Sequence, residues 1–146
     1  MALGGIDEEI KNEEVEKEEA VEKKKKKPFH YWMANGEEYK LKLTTSMIEK
    51  LENKYRTNVM NLVITDDIPP LTVMLTIAQA AIAPWQHKVG YEKVKEIYEN
   101  WKENDGGNQM KFYTDVIMPT MAVSGFFTDE QAETMMKNMK DADMLM

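Results

Sequence analysis

Residues 71–83, LTVMLTIAQAAIA, place the strongest constraint on the fold, because this segment is apolar on nearly every side. Its polar residues Thr72, Thr76 and Gln79 are spaced i, i+4 and i+7, so they share one narrow stripe of a helix. A helix of this kind is stable only when other elements cover it on most sides. We therefore expect a central helix that ends at Pro84 and is surrounded by the rest of a domain.

The dipeptide Asn35-Gly36 is the strongest hairpin signal in the chain, because both central residues of a type I′ turn require positive φ. A two-residue loop there pairs Trp32 with Tyr39 on one face, and this face is predicted to pack on the domain. The other face is half apolar and half charged, with Phe29, Tyr31 and Met33 opposite Lys42, Lys40 and Glu38. Such a surface is typical of one that a partner covers.

Amphipathic periodicity predicts helices on both sides of the central one. Thr44, Thr45 and Ser46 offer N-caps after the hairpin, and Glu49 completes a capping box with Ser46. A surface helix is predicted over 91–104, followed by a helical segment that Pro119 is expected to kink or split. The predicted fold is mainly α, of the small α+β class, with an N-terminal β-hairpin packed on about five helices.

Composition divides the chain into three predicted regions. Residues 1–27 form a charged arm that ends in five consecutive lysines and holds too few apolar residues for a core. Residues 28–127 form the hairpin and the helical domain. Residues 128–146 form a C-terminal amphipathic helix that opens with a capping box between Thr128 and Gln131. Its apolar face is almost entirely methionine, with Met135, Met136 and Met139.

The chain carries no motif for a known catalytic chemistry. The absence of cysteine excludes a disulfide, a thiolate metal site and a cysteine nucleophile. His30 and His87 are the only imidazoles, lie far apart in the sequence, and lack the partners of a triad or a zinc site. We predict no catalytic, metal-binding or cofactor-binding residue, and we expect a protein that is not an enzyme. An enzyme with an unrecognised carboxylate site is the most remote hypothesis.

Charge and hydropathy limit the partners. The net charge is −7, and removing the nine acids and seven lysines of residues 7–27 leaves −5 for residues 28–146. A phosphate backbone would be repelled by such a surface, so no nucleic-acid partner is expected. No apolar run approaches the roughly 20 residues that span a bilayer, and no signal peptide is seen, so we expect a soluble cytoplasmic protein without a membrane partner. The 13 methionines suit a surface that adapts to another protein.

Several segments of residues 37–127 occur in a recognisable order: YKLKLTT, MIEKLENKY, NVMNLV, PPLTVMLTIAQAAIAPW and FYTDVIMPTMAVSGFF. In this order the chain resembles the tail assembly chaperones of tailed bacteriophages and of prophages in Gram-positive bacteria. The resemblance implies a small, mostly helical protein of the host cytoplasm that takes part in virion morphogenesis and is absent from the finished virion. It would bind the phage tape measure protein, keep it soluble and help recruit tail tube protein subunits.

The residues themselves indicate where a partner would bind. We assign partner contact to the outer hairpin residues and to the methionine stripe, namely Phe29, Tyr31, Met33, Met135, Met136 and Met139. Whether the protein forms a homo-oligomer is left open. The alternative hypothesis is a small acidic regulatory or inhibitory adaptor that binds a host protein.

Overall fold

A two-stranded hairpin followed by a layer of helices makes up the computed structural model of the chain, which describes residues 29–134 and 137. The predicted fold class is confirmed. The elements are β1 (His30–Ala34), β2 (Glu37–Leu41), α1 (Thr45–Tyr55), α2 (Val59–Val63), α3 (Leu71–Ile82), α4 (Tyr91–Asn104), α5 (Gln109–Lys111), a π-helical segment (Phe112–Ile117) and α6 (Met118–Val123). The charged arm predicted for residues 1–27 lies outside the described residues, and the three-region division stays a prediction.

The hairpin has the predicted turn and the predicted register. Asn35 and Gly36 both have positive φ, 53° and 83°, as a type I′ turn requires. The two strands are antiparallel, and Trp32 lies opposite Tyr39. Both of these side chains are buried, so the face predicted to pack on the domain does so.

The first two helices differ from the prediction in one cap and one element. The capping box of Ser46 and Glu49 is wrong, because α1 begins one residue before Ser46 and the cap is Thr44, whose Oγ1 accepts from the N–H of Met47 at 3.2 Å. Helix α2 was not predicted, since its five residues are too few for a periodic pattern. Asn58 caps it by accepting from the N–H of Asn61.

Helix α3 is the central helix that its composition predicts. It ends at Ile82, just before Pro84, and most of its residues are buried: Met74, Leu75, Ile77, Ala78, Ala80, Ala81 and Ile82. Two polar side chains of the stripe form hydrogen bonds at the edge of the buried face. Thr76 donates to the carbonyl of Thr72, and Gln79 donates to the carbonyl of Val89. The helix can therefore be covered on several sides without leaving these polar groups unpaired.

A π-helical segment accommodates Pro119 inside a long helical region. The Met118 N–H donates to the carbonyl of Tyr113, five residues back, and Pro119, which has no N–H, follows at the start of α6. The wider π turn lets the chain enter the proline without the clash that a regular helix interior would meet. The predicted split at Pro119 thus takes the form of one wide turn inside a continuous helical segment.

An aromatic cluster packs beneath β1. The Trp32 ring lies edge-on to Trp101 at 5.6 Å between centroids and lies 5.2 Å from Phe112. Gly107 allows the loop after α4 to cross the Trp101 ring, because a Cβ at residue 107 would lie 2.3 Å from a ring carbon. The cluster therefore depends on a glycine as well as on its rings.

Three hydrogen bonds fasten the helices and the hairpin to each other. Tyr113 donates its hydroxyl to the carbonyl of Val63 at the end of α2. Leu43, just after β2, donates its N–H to the hydroxyl of Ser124 after α6, and that hydroxyl donates in turn to the Thr120 carbonyl. The Tyr113–Val63 and Leu43–Ser124 bonds join segments far apart in sequence, and the second of them ties the end of the hairpin to α6.

Candidate partner-binding surface

An aromatic strip lies on the outer face of the hairpin, and we define it as Phe29, Tyr31, Met33 and Trp85. Phe29 meets Trp85 edge-on at 4.8 Å between ring centroids, and Tyr31 lies 6.3 Å from Phe29. Tyr31 is 44% exposed, Met33 55% and Trp85 37%. The strip is a contiguous surface whose rings and thioether reach solvent.

The predicted site residues of the hairpin do not behave alike. Tyr31 and Met33 are exposed, as expected from their place opposite the buried face. Phe29 is half-buried, because the indole of Trp85 covers one side of its ring. Phe29 is therefore the least accessible of the three hairpin residues.

Trp85 is the residue of this surface that the sequence interpretation missed. It follows α3 directly, and its indole Nε1–H donates to the Lys42 carbonyl at 3.2 Å, which fixes the ring against the hairpin. The sequence signal was a tryptophan placed just after the helix-ending Pro84. Because Trp85 lies beyond the end of α3, its ring contacts the hairpin at the domain surface instead of packing in the core.

Two lysines border the strip. Nζ of Lys40 lies 5.2 Å and Nζ of Lys42 lies 5.8 Å from the Phe29 ring centroid, within range of a cation–π contact. In the part of the chain that the structure describes, neither lysine has a carboxylate within 4.0 Å, whereas the exposed lysines of α4 are paired: Lys93 with Glu96, Lys95 with Glu92 and Lys102 with Glu99. The strip thus has a positive border in a protein that is acidic overall.

The C-terminal residues of the predicted site lie outside the described residues, although the start of their helix lies within them. The capping box of the last helix is confirmed, since Gln131 N–H donates to the Thr128 hydroxyl and Thr128 N–H donates to the Gln131 side chain. Residues 129–134 are helical. Met135, Met136 and Met139 are not among the described residues, so their partner contact stays a prediction.

The two histidines lie in different parts of the fold, His30 in β1 and His87 after α3. Burial lowers the pKa of His30, and a hydrogen bond with the backbone of Asp115 opposes that shift. His87 is exposed in the turn after α3. Within the described ranges no three side chains of the metal-binding types come close enough to hold an ion.

Comparison with known proteins yields no match, whether to family models, to curated proteins or to solved structures. None of the helices in the described part of the chain has the length and apolar character needed to cross a membrane. The surface itself is therefore the basis for a functional proposal.

Proposed function

We propose that this protein is a tail assembly chaperone of a tailed bacteriophage or prophage, and that it binds the tape measure protein through the aromatic strip. It works in the cytoplasm of the bacterial host, keeps the tape measure protein soluble, helps recruit tail tube subunits and is not retained in the mature virion. The exposure of Tyr31 and Met33 on a hairpin whose other face is packed on the helices is the observation that carries this proposal. The resemblance of the segment order to that of tail assembly chaperones is the reason for proposing this class.

The strip suits reversible binding to the apolar face of a helix. Tyrosine and tryptophan offer large contact areas with few rotatable bonds, and methionine adapts its shape to the partner. The opposite hairpin face is packed on the helices, so the strip is already in place before the partner binds. Binding therefore has little ordering cost. Few side chains are involved, which favours a contact that can be released when the tail tube closes around the tape measure protein.

Co-expression with a tape measure fragment encoded by the same genome tests the proposal. The double variant Tyr31→Ser with Met33→Ser removes the two most exposed groups of the strip. The matched control, Ile64→Ser with Met110→Ser, removes two residues of similar exposure, 53% and 46%, outside the hairpin. We expect the fragment to move from the soluble to the insoluble fraction with the strip variant and to stay soluble with the control.

Two results would contradict this function. If the fragment is equally soluble with the strip variant and with the wild type, the tape measure protein does not bind there. If the wild type never solubilises the fragment, the chaperone hypothesis fails and the adaptor hypothesis becomes the stronger one. Thermal unfolding followed by circular dichroism checks that both double variants keep their fold.

A further inference from the structure

The outer edge of the hairpin on the β2 side is covered at Lys40 and Lys42 by the end of α3 and the turn that follows. Lys40 donates its N–H to the Gln86 side chain at 3.2 Å, and Lys42 donates its N–H to the Ala81 carbonyl at 3.1 Å. The Lys42 carbonyl accepts from Trp85. The main-chain groups of Lys40 and Lys42 thus point away from β1, and three of the four are already bonded: both N–H groups and the Lys42 carbonyl.

The same geometry determines which groups of β1 point outward. In an antiparallel pair, the main-chain N–H and C=O groups of two opposite residues point either toward the other strand in both residues or away from it in both. Tyr31 lies opposite Lys40, and Met33 lies two residues further along β1, so the N–H and C=O groups of both point away from β2. Among the hydrogen bonds of the described residues, none involves these outward groups.

The open edge, that of β1, is also the edge without acidic residues or lysines. Natural sheets protect exposed edges with charged side chains, proline or a bulge, because an unprotected edge pairs with another strand. β1 has none of these protections, since it consists of His30, Tyr31, Trp32, Met33 and Ala34 in regular pairing. The charged residues of the hairpin strands lie on β2, namely Glu37, Glu38 and Lys40, and the outer edge of β2 is charged at Glu38 and bonded at Lys40.

We propose that β1 pairs antiparallel with β1 of a second copy of this chain, so that two hairpins form one four-stranded sheet. Complete overlap of the two strands places Trp32 on the two-fold axis and brings Tyr31 opposite Met33 of the second copy, twice. These are the residues whose main-chain groups point outward, so both pairs exchange two N–H···O=C bonds. On the outer face each Tyr31 ring then meets a Met33 thioether, a favourable contact.

Charge favours a second copy over a charged partner strand. Two β1 strands bring no like charges together, and the two-fold axis keeps the charged β2 strands at opposite edges of the sheet. The pairing also joins two aromatic strips into one surface twice as long, which would bind a long helix better than one strip alone. It does not depend on the partner proposed above.

Two variants at one position test the pairing in the full-length protein. Met33→Pro removes an outward N–H without breaking a bond inside the hairpin, and edge strands tolerate proline at such a position. Met33→Ala is the matched control, because it keeps the N–H and removes the side chain. By sedimentation equilibrium we expect a wild-type dimer, a dissociation constant raised at least about ten-fold by Met33→Pro, and a clearly smaller change with Met33→Ala.

Amide hydrogen exchange tests the same edge without a substitution. We expect the Tyr31 and Met33 amides to be protected at concentrations where the dimer forms and to lose that protection on dilution. The proposal is overturned if the wild type is monomeric up to its solubility limit, or if proline and alanine at position 33 have equal effects. It is also overturned if these amides stay protected in the dilute monomer, because another segment of the chain would then cover the edge.

Discussion

The two faces of the hairpin carry similar side chains, but one face is buried in the core and the other is exposed to solvent. On the inner face Trp32 and Tyr39 are buried side by side, and the Trp32 ring packs against Trp101 and Phe112. On the outer face, Tyr31 and Met33 reach solvent on the same strand, one position away in each direction. The difference teaches that aromatic content alone does not distinguish a core from a binding surface in a strand, because the period of two assigns each ring to one or the other.

Truncation of one ring on each face gives the largest expected difference in the free energy of unfolding. Trp32→Ala removes a buried indole and should lower the free energy of unfolding by about 3–5 kcal/mol. Tyr31→Ala should change it by no more than about 0.5 kcal/mol, as for most surface substitutions. Urea titration followed by circular dichroism measures both values. Equal losses for the two variants would show that the faces do not differ in this way.

Support for the inner face can be removed without changing an aromatic residue. Gly107→Ala forces a methyl group into the Trp101 ring and should lower the free energy of unfolding by about 1–3 kcal/mol. Gly90→Ala is the control, because a Cβ there meets no atom within 4 Å and φ is negative. The same titration applies, and a stability of the Gly107 variant equal to that of the Gly90 variant would contradict the close packing.

The smallest expected effect is on how the free energy of unfolding depends on pH. Burial and a hydrogen bond to Glu37 raise the pKa of Tyr39 to about 12, from 10.0. Because the folded state holds this proton more tightly than the unfolded state, the stabilisation is present below pH 10.0 and is lost as pH rises toward about 12. Tyr39→Phe should therefore reduce the loss of stability over this interval.

Tyr39→Phe leaves some pH dependence, because burial also raises the pKa of Tyr98 and of Tyr113. The measurement is the free energy of unfolding at several pH values across the interval, for the variant and the wild type. Parallel curves for the two proteins would mean that Tyr39 does not titrate differently in the folded state.

Much of the fold could be predicted because its signals are local. The Asn35-Gly36 turn sets the register of both strands, and the apolar character of 71–83 identifies the central helix. A departure from regular helix at Pro119 was also expected, but its form, a π turn inside a continuous helical segment, depends on how the preceding turn packs. Helix α2 and the choice of Thr44 as cap depend on tertiary contacts and on where the hairpin ends, which no local pattern specifies.

The candidate surface was predicted only in part. Alternation along β1 identified Tyr31 and Met33 as outward residues. It could not show that Trp85, more than fifty residues away in the sequence, would cover Phe29 and complete the strip. That contact follows from the packing of α3 against β2, so it is a property of the tertiary structure.

The position of Trp85 also has an optical consequence. The chain has three tryptophans, and Trp32 and Trp101 are enclosed in the aromatic cluster while Trp85 touches water. A soluble quencher reaches Trp85 far more readily than the two enclosed indoles, so the quenchable part of the intrinsic fluorescence reports on the strip. The protein thus carries a native, label-free probe at the surface where a partner would dock.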